Sequence, residues 1–142
     1  MLGDSAKEEL KRVDHLVYVT LKYTRTCDVI KSIIKRMISA YDEIIKEGLE
    51  KKRVKKLPVS RIEMAELFYK KLNKKGIKGY FDLYFLLRKI EVAKYLPREE
   101  YRKHVTMIAK IDDKDVEIDI PKLYEFQNRT EEFVNLVIDT LK

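Results

Sequence analysis

The sequence predicts a mainly α-helical domain: a helical bundle with a long N-terminal helix and one β-hairpin near the C-terminus. Apolar residues recur at steps of three and four from Leu16 to Gly48, which is typical of an amphipathic helix. Between about residues 105 and 120 the period changes to two, which is typical of half-buried strands. The 142 residues suffice for one domain with a core, and no linker composition divides them, so we assign 1–142 to a single domain.

The N-terminal helix is predicted to run from Ser5 to Leu49 without interruption by proline. Ser5 and Glu8 have the spacing of a capping box, which would satisfy two amides at the start of the helix. At about 1.5 Å per residue, such a helix would be roughly 65 Å long. We therefore expect it either to bend or to be covered in part by another chain. Its weakest point is expected between Thr20 and Thr26, where threonines of low helix propensity cluster.

Three further helices and a short helical turn are predicted after the long helix. Ser60 and Glu63 form a second capping box, and Val59 stands where it could pack against Met64 as a hydrophobic staple. The third helix is apolar on more than one side, so we expect it at the centre of the core or against a second protomer. The predicted ranges are 60–73, 80–96, the turn 98–103 and 121–142, with Pro97 and Pro121 at boundaries.

The predicted hairpin has its turn at residues 112–115. This choice places apolar side chains on one face and opposes Lys110 to Glu117 on the other. An isolated two-stranded ribbon is only marginally stable in water, so we expect the hairpin to lie on the helices or to extend a sheet across a dimer. The predicted cross-strand pairs are Ile111 with Val116, Lys110 with Glu117, Ala109 with Ile118 and Met107 with Ile120.

Composition excludes several classes of protein. Apolar residues make up 45% of the chain, which excludes wholesale disorder, and no apolar run is long enough to span a membrane. The absence of a signal peptide favours a cytoplasmic protein. Abundant lysine and glutamate with few amide side chains are typical of thermophile proteins. The single cysteine, Cys27, falls in the apolar stripe, so we interpret it as a buried hydrophobic residue rather than a nucleophile.

Positive charge is concentrated in one segment. Residues 51–78 contain eleven Lys or Arg and two acids, a balance of +9, so the remainder of this +7 chain has a net charge of −2. Such a concentration favours binding to a phosphate backbone, and Tyr69 and Tyr80 could stack on unpaired bases. The alternative is a solvated helix face without a partner. The candidate nucleic-acid-binding residues are Lys51, Lys52, Arg53, Lys55, Lys56, Lys70, Lys71, Lys74, Lys75 and Lys78.

Candidate catalytic residues are few. Arg98 and His104 could together supply a cation and a general acid or base, which metal-free RNA cleavage requires; the alternative is a charged turn that leads into a strand. His15 has no second metal ligand three or four residues later. The acids of 112–119 lack the glycine and closing glutamate of a calcium loop, and no cofactor motif is present, so we expect no metal and no cofactor.

A mainly helical domain with a long N-terminal helix and an arginine followed six residues later by histidine resembles the HEPN group. Some members of that group are toxin ribonucleases, and others bind nucleotides or act as noncatalytic partners. The resemblance implies that Arg98 and His104 are the motif pair. The chain departs from the group in that His104 precedes a β-hairpin instead of lying within a helical turn.

Three functions follow from these patterns. The apolar excess of the first and third helices favours a noncatalytic protein, a homodimer that acts in assembly or binds a protein partner. The basic segment 51–78 favours a nucleic-acid-binding module. The HEPN resemblance favours a metal-independent ribonuclease.

Overall fold

A computed structural model describes residues 1–142 and confirms the predicted class, because helices dominate and a small antiparallel sheet lies near the C-terminus. Helix α3 is central, since α1, α4, α5, α6 and strand β2 all pack against it. The elements are α1 (Asp4–His15), α2 (Leu21–Tyr23), α3 (Cys27–Lys51), α4 (Arg61–Leu72), α5 (Lys78–Val92), β1 (Tyr95–Arg98), β2 (Thr106–Ile111), β3 (Lys114–Ile118) and α6 (Ile120–Leu141).

The predicted N-terminal helix is broken, and the break lies within the threonine cluster expected to be its weak point. A π-helical turn at Leu16–Thr20 joins α1 to α2, and residues 24–26 are not helical. The break exposes the first amides of α3. The hydroxyl of Thr26 accepts a hydrogen bond from the Val29 amide at 3.3 Å, and the Glu100 carboxylate accepts one from the Cys27 amide at 3.0 Å. A distant glutamate therefore completes the cap that the break requires.

Helix α1 folds back antiparallel to α3, so the prediction of one continuous helix was wrong. The Gly3 amide donates to the Glu47 carboxylate at 2.8 Å, and the Arg36 guanidinium donates to Glu9 at 3.3 Å. Val13 and other apolar residues of this segment are buried inside the chain. The predicted capping box also does not form, because α1 begins at Asp4 and Ser5 lies within the helix.

The sheet has a third strand that the sequence did not predict. Helix α5 ends at Val92, and β1 pairs antiparallel with β2 from Tyr95 opposite Ala109 to Arg98 opposite Thr106. The predicted helix end at 93–96 is therefore wrong, as is the helical assignment of Arg98. β1 contains Pro97, which a sheet tolerates here because β1 is an edge strand. Proline is equally common just after a helix, so its position alone did not distinguish the two structures.

The predicted hairpin is confirmed, but its register is shifted by two residues. Its turn has only two central residues, Asp112 and Asp113, with φ values of 50° and 64°. Aspartate tolerates this left-handed conformation, and two such residues make the type I′ turn that fits the twist of a hairpin. A shift of two keeps each side chain on its predicted face. It replaces the predicted Lys110–Glu117 pair with Lys110–Asp115, at 3.7 Å. The observed pairs include Met107 with Ile118, Ala109 with Val116 and Ile111 with Lys114.

Two of the later helices have polar caps. The Ser60 hydroxyl accepts from the Glu63 amide at 3.4 Å, as the capping box predicts. Val59 is fully exposed, so the predicted staple to Met64 does not form. The Asp119 carboxylate accepts from the Lys122 amide at 2.9 Å and caps α6. These caps determine the residues at which α4 and α6 begin.

The contact between α3 and α4 depends on a glycine. A Cβ added to Gly48 would lie 2.4 Å from the ring of Phe68, which is fully buried. We predict that Gly48→Ala lowers the free energy of unfolding by about 1–2 kcal/mol, because overpacking outweighs the gain in helix propensity. Urea denaturation measures the change. Gly79→Ala is the control, since its Cβ meets only the end of Arg129 at 3.3 Å. Equal effects of the two substitutions would contradict this packing.

Candidate functional site

The cations predicted to bind nucleic acid lie at the end of the bundle where α3 and α4 terminate. Contacts among three helices place both helix ends there. Gly48 of α3 packs on Phe68 of α4, and the Lys74 ammonium donates to the Thr140 hydroxyl of α6 at 3.1 Å. The C-terminal part of α6 lies beside Gly3, whose amide donates to Glu47 of α3. All of these cations are exposed. We call this surface the basic end; it comprises Lys51, Lys52, Arg53, Lys55, Lys56, Lys70, Lys71, Lys74, Lys75 and Lys78.

Local structure explains why cations accumulate there. Helix α3 ends at Lys51, and Arg53 has a left-handed conformation with φ 60° in the turn that follows. Helix α4 ends at Leu72, and Asn73 is its left-handed C-terminal cap with φ 43°. The C-terminus of a helix carries partial negative charge, which favours nearby cations. Two helix ends therefore stabilise a positive surface that would otherwise repel itself.

The charges of the basic end are largely without counterions. Lys78 pairs with Asp82 at 3.1 Å, whereas no carboxylate lies within 4.0 Å of the other nine cations. Elsewhere in the chain seven of the sixteen exposed Lys and Arg side chains have acidic partners, as Lys89 has in Asp112 at 2.8 Å. An anionic ligand at the basic end would therefore displace few internal ion pairs.

The two tyrosines near the basic end differ in their availability. Tyr69 is 39% exposed, and its ring contacts Phe81 edge-on. The Tyr80 hydroxyl donates to Glu132 at 3.1 Å, and its ring packs against Phe133 in the core. Tyr69 is therefore the better stacking surface for an unpaired base.

The structure places Arg98 and His104 at opposite ends of the loop that joins β1 to β2. Arg98 forms an ion pair with Glu117, across the sheet on β3. The His104 side chain is exposed, and the Thr106 hydroxyl donates to the His104 carbonyl at 2.9 Å. The loop is fixed to the helical break, where the Tyr101 amide donates to the Arg25 carbonyl at 2.6 Å. No hydrogen bond joins the arginine and histidine side chains, and the ribonuclease assignment remains a prediction.

A polar groove that the sequence reasoning missed lies between α1, α3 and α5. Its volume is about 810 Å³, within the range of small-molecule sites. Two sets of residues at positions i, i+3, i+4 and i+7 form its long walls, and this spacing was the available signal. The walls are Glu8, Lys11, Arg12 and His15 of α1 and Ser32, Lys35, Arg36 and Ser39 of α3, and Leu16, Ile38, Asp42, Arg88 and Glu91 complete the lining.

A hydrogen-bonded network borders the polar groove where α5 meets α3. The Tyr84 hydroxyl donates to Asp42 at 2.6 Å, and the Arg88 guanidinium donates to the same carboxylate at 2.9 Å. Burial raises the pKa of the Tyr84 hydroxyl, and its bond to the Asp42 carboxylate raises this pKa further. Tyr84 thus stays neutral at ordinary pH, and Asp42 and Arg88 largely neutralise each other.

An apolar groove of about 680 Å³ lies between α4 and α5, on the other side of Arg88. Ile62 and Val92 line it and are 42% and 81% exposed, and Phe85 is its third hydrophobic lining residue. Four charged residues form the rest of the lining, and their charges cancel. They are Glu66, Arg88, Lys89 and Glu91.

No group of three or more His, Cys, Asp or Glu side chains is arranged to hold a metal ion. No helix combines the length and the apolar character that crossing a lipid bilayer requires.

Cys27 is only 2% exposed, as predicted, and its sulfur lies 3.6 Å from the Thr106 carbonyl oxygen. Burial, together with the charges of Glu100 and Asp28, raises the pKa of the Cys27 thiol to about 11.

The raised pKa of Cys27 predicts a loss of stability in alkali. Between pH of about 9 and 11 the thiol ionises in the unfolded chain but stays protonated in the folded one, so the free energy of unfolding falls as pH rises. The free energy of unfolding falls by about 3 kcal/mol in total, because the pKa differs by about two units between the two states and each unit corresponds to about 1.4 kcal/mol. Urea denaturation across this pH range measures it. Cys27→Ala should flatten the slope, and parallel slopes for the two proteins would contradict the assignment.

Comparisons with family models, with curated proteins and with solved structures found no match to this chain.

Proposed function

We propose that this protein binds single-stranded nucleic acid through the basic end. The observation that carries the proposal is the set of nine exposed cations without counterions at one end of the bundle. Neutralisation of phosphates by such cations releases condensed counterions, which drives binding without regard to sequence. Helix α4 presents its C-terminus there, so it is not placed as a recognition helix, whose N-terminal residues contact the bases.

The chemistry of this surface favours single strands over duplexes. Tyr69 offers a partly exposed ring beside Lys70, and stacking on an aromatic side chain requires an unpaired base. Most of the remaining cations lie at the ends of α3 and α4 or in the turns that follow them. A flexible strand can follow such an irregular surface more readily than a stiff duplex can.

The test replaces Lys51, Lys52, Arg53, Lys55 and Lys56 together with glutamine. We expect binding to a single-stranded RNA, measured by fluorescence anisotropy, to weaken at least about tenfold. The plot of log affinity against log salt concentration should become less steep by up to about 3.5, because each of the five lost phosphate contacts to a single strand contributes about 0.7 to the slope.

A control variant removes the same charge elsewhere. Lys22, Lys94, Arg102, Lys103 and Lys114 are exposed and have no carboxylate partner, and glutamine at these positions should leave most of the affinity intact. Equal losses for the two variants would mean that only net charge matters. The absence of binding by the unmodified protein at low salt would refute the proposal.

We propose as a second function that two copies associate through the apolar groove between α4 and α5. Much of the apolar surface that favoured a homodimer at the sequence level is covered within the chain by the fold-back of α1. Ile62 and Val92 remain exposed. A two-fold interface places a patch against itself, so its charges must be self-complementary. The four charges that line this groove cancel, whereas the whole chain carries +7, which makes this groove a suitable place for a second copy.

The dimer proposal predicts that Ile62→Glu combined with Val92→Glu converts the protein to a monomer, because charges would be buried without partners. Sedimentation equilibrium at micromolar concentration measures the mass. Val59→Glu is the matched control, since Val59 is fully exposed outside the groove. A monomeric unmodified protein would refute the proposal.

A further inference from the structure

The two long walls of the polar groove face each other in reverse order. Helices α1 and α3 are antiparallel, since Gly3 lies beside Glu47 and Glu9 lies beside Arg36. The cations at the middle of one wall therefore oppose those at the middle of the other. His15 and Ser32 lie at one end of the groove, and Glu8 and Ser39 lie at the other. Each wall spans two helical turns, roughly 10 Å.

The middle of the groove retains positive charge after its internal ion pairs are counted. Glu9 accepts hydrogen bonds from Arg12 at 2.6 Å and from Arg36 at 3.3 Å, and Glu8 accepts one from Lys11 at 3.2 Å. These contacts pair three cations with two carboxylates and leave Lys35, which also lines the groove, without an acid within 4.0 Å. The site is therefore suited to one phosphate group rather than to a long polyanion.

The lining of the groove also includes two serine hydroxyls, those of Ser32 and Ser39. The Thr130 hydroxyl donates to the Phe126 carbonyl within its own helix, whereas the hydroxyls of Ser32 and Ser39 make no such bond. Leu16 and Ile38 are the only hydrophobic residues in the lining, and the stems of long charged side chains supply the rest of its apolar surface. A sugar could exchange hydrogen bonds with serine and carboxylate oxygens there.

We propose that the polar groove binds a phosphorylated sugar or a similar polyol phosphate. The phosphate lies against Lys35 and the arginines beside it, where charge-assisted hydrogen bonds are strongest. The sugar hydroxyls lie against Ser32 or Ser39 and the carboxylates at the groove's ends. The site is distinct from the basic end, because none of the residues of that surface lines the groove.

Isothermal titration calorimetry with three probes tests the ligand class. Glucose 6-phosphate should bind at least about tenfold more tightly than inorganic phosphate, and glucose should not bind measurably. Equal affinity for the sugar phosphate and inorganic phosphate would overturn the sugar part of the proposal. The absence of binding by all three probes would overturn the whole proposal.

Variants locate the site. Lys35→Gln should weaken the binding of glucose 6-phosphate about tenfold. Lys22→Gln, which removes an exposed cation outside the groove, should leave this binding unchanged. Lys35 makes no ion pair, so its loss should leave the melting temperature unchanged. The variant with glutamine at five positions of the basic end should bind the sugar phosphate normally. A normal affinity in Lys35→Gln, or a loss in the basic-end variant, would overturn the assignment to the groove.

Discussion

The antiparallel packing of α1 against α3 is the interaction on which the rest of this structure depends. It buries the apolar stripes of both helices against each other, so a segment long enough for an extended rod becomes a helical hairpin. The reversal exposes backbone amides at the start of α3, and Thr26 and Glu100 satisfy them. Since Glu100 belongs to the loop between β1 and β2, the position of the sheet is coupled to the helical break. Burial of apolar surface drives the packing, and these hydrogen bonds determine where the chain can turn.

The same packing divides the surface of the molecule by chemistry. At one end the termini of α3 and α4 carry cations that have few acidic partners, and along the side the polar stripes of α1 and α3 form the walls of a groove. On the opposite side of Arg88, the groove between α4 and α5 is apolar and its charges cancel. Arg88 separates the two grooves because its pairing with Asp42 fixes the guanidinium between them. A single chain thus offers three surfaces that differ in charge and polarity.

Features that depend on neighbouring residues were predictable, and features that depend on distant contacts were not. The cap at Ser60, the buried position of Cys27 and the hairpin follow from spacing over a few residues. The predicted register of the hairpin was wrong because the register depends on the length of the turn. The turn has two central aspartates in left-handed conformation, whereas four turn residues were predicted. Strand β1 was missed because its pairing with β2 outweighs the helical preference of a segment that continues α5.

The sequence by itself determined the helical class, the location of the weak point near Thr24 and the concentration of positive charge between residues 51 and 78. Periodicity, propensity and charge density are local properties, so they can be recognised before the chain folds. Only the tertiary structure decided that α1 turns back on α3, that the two halves of the basic segment share one end, and that Glu8 and Ser39 line one groove. Each of these requires contact between residues that lie far apart in the chain, such as Gly48 with Phe68 or Gly3 with Glu47. Such contacts depend on how apolar faces are shared among several helices, which no single segment specifies.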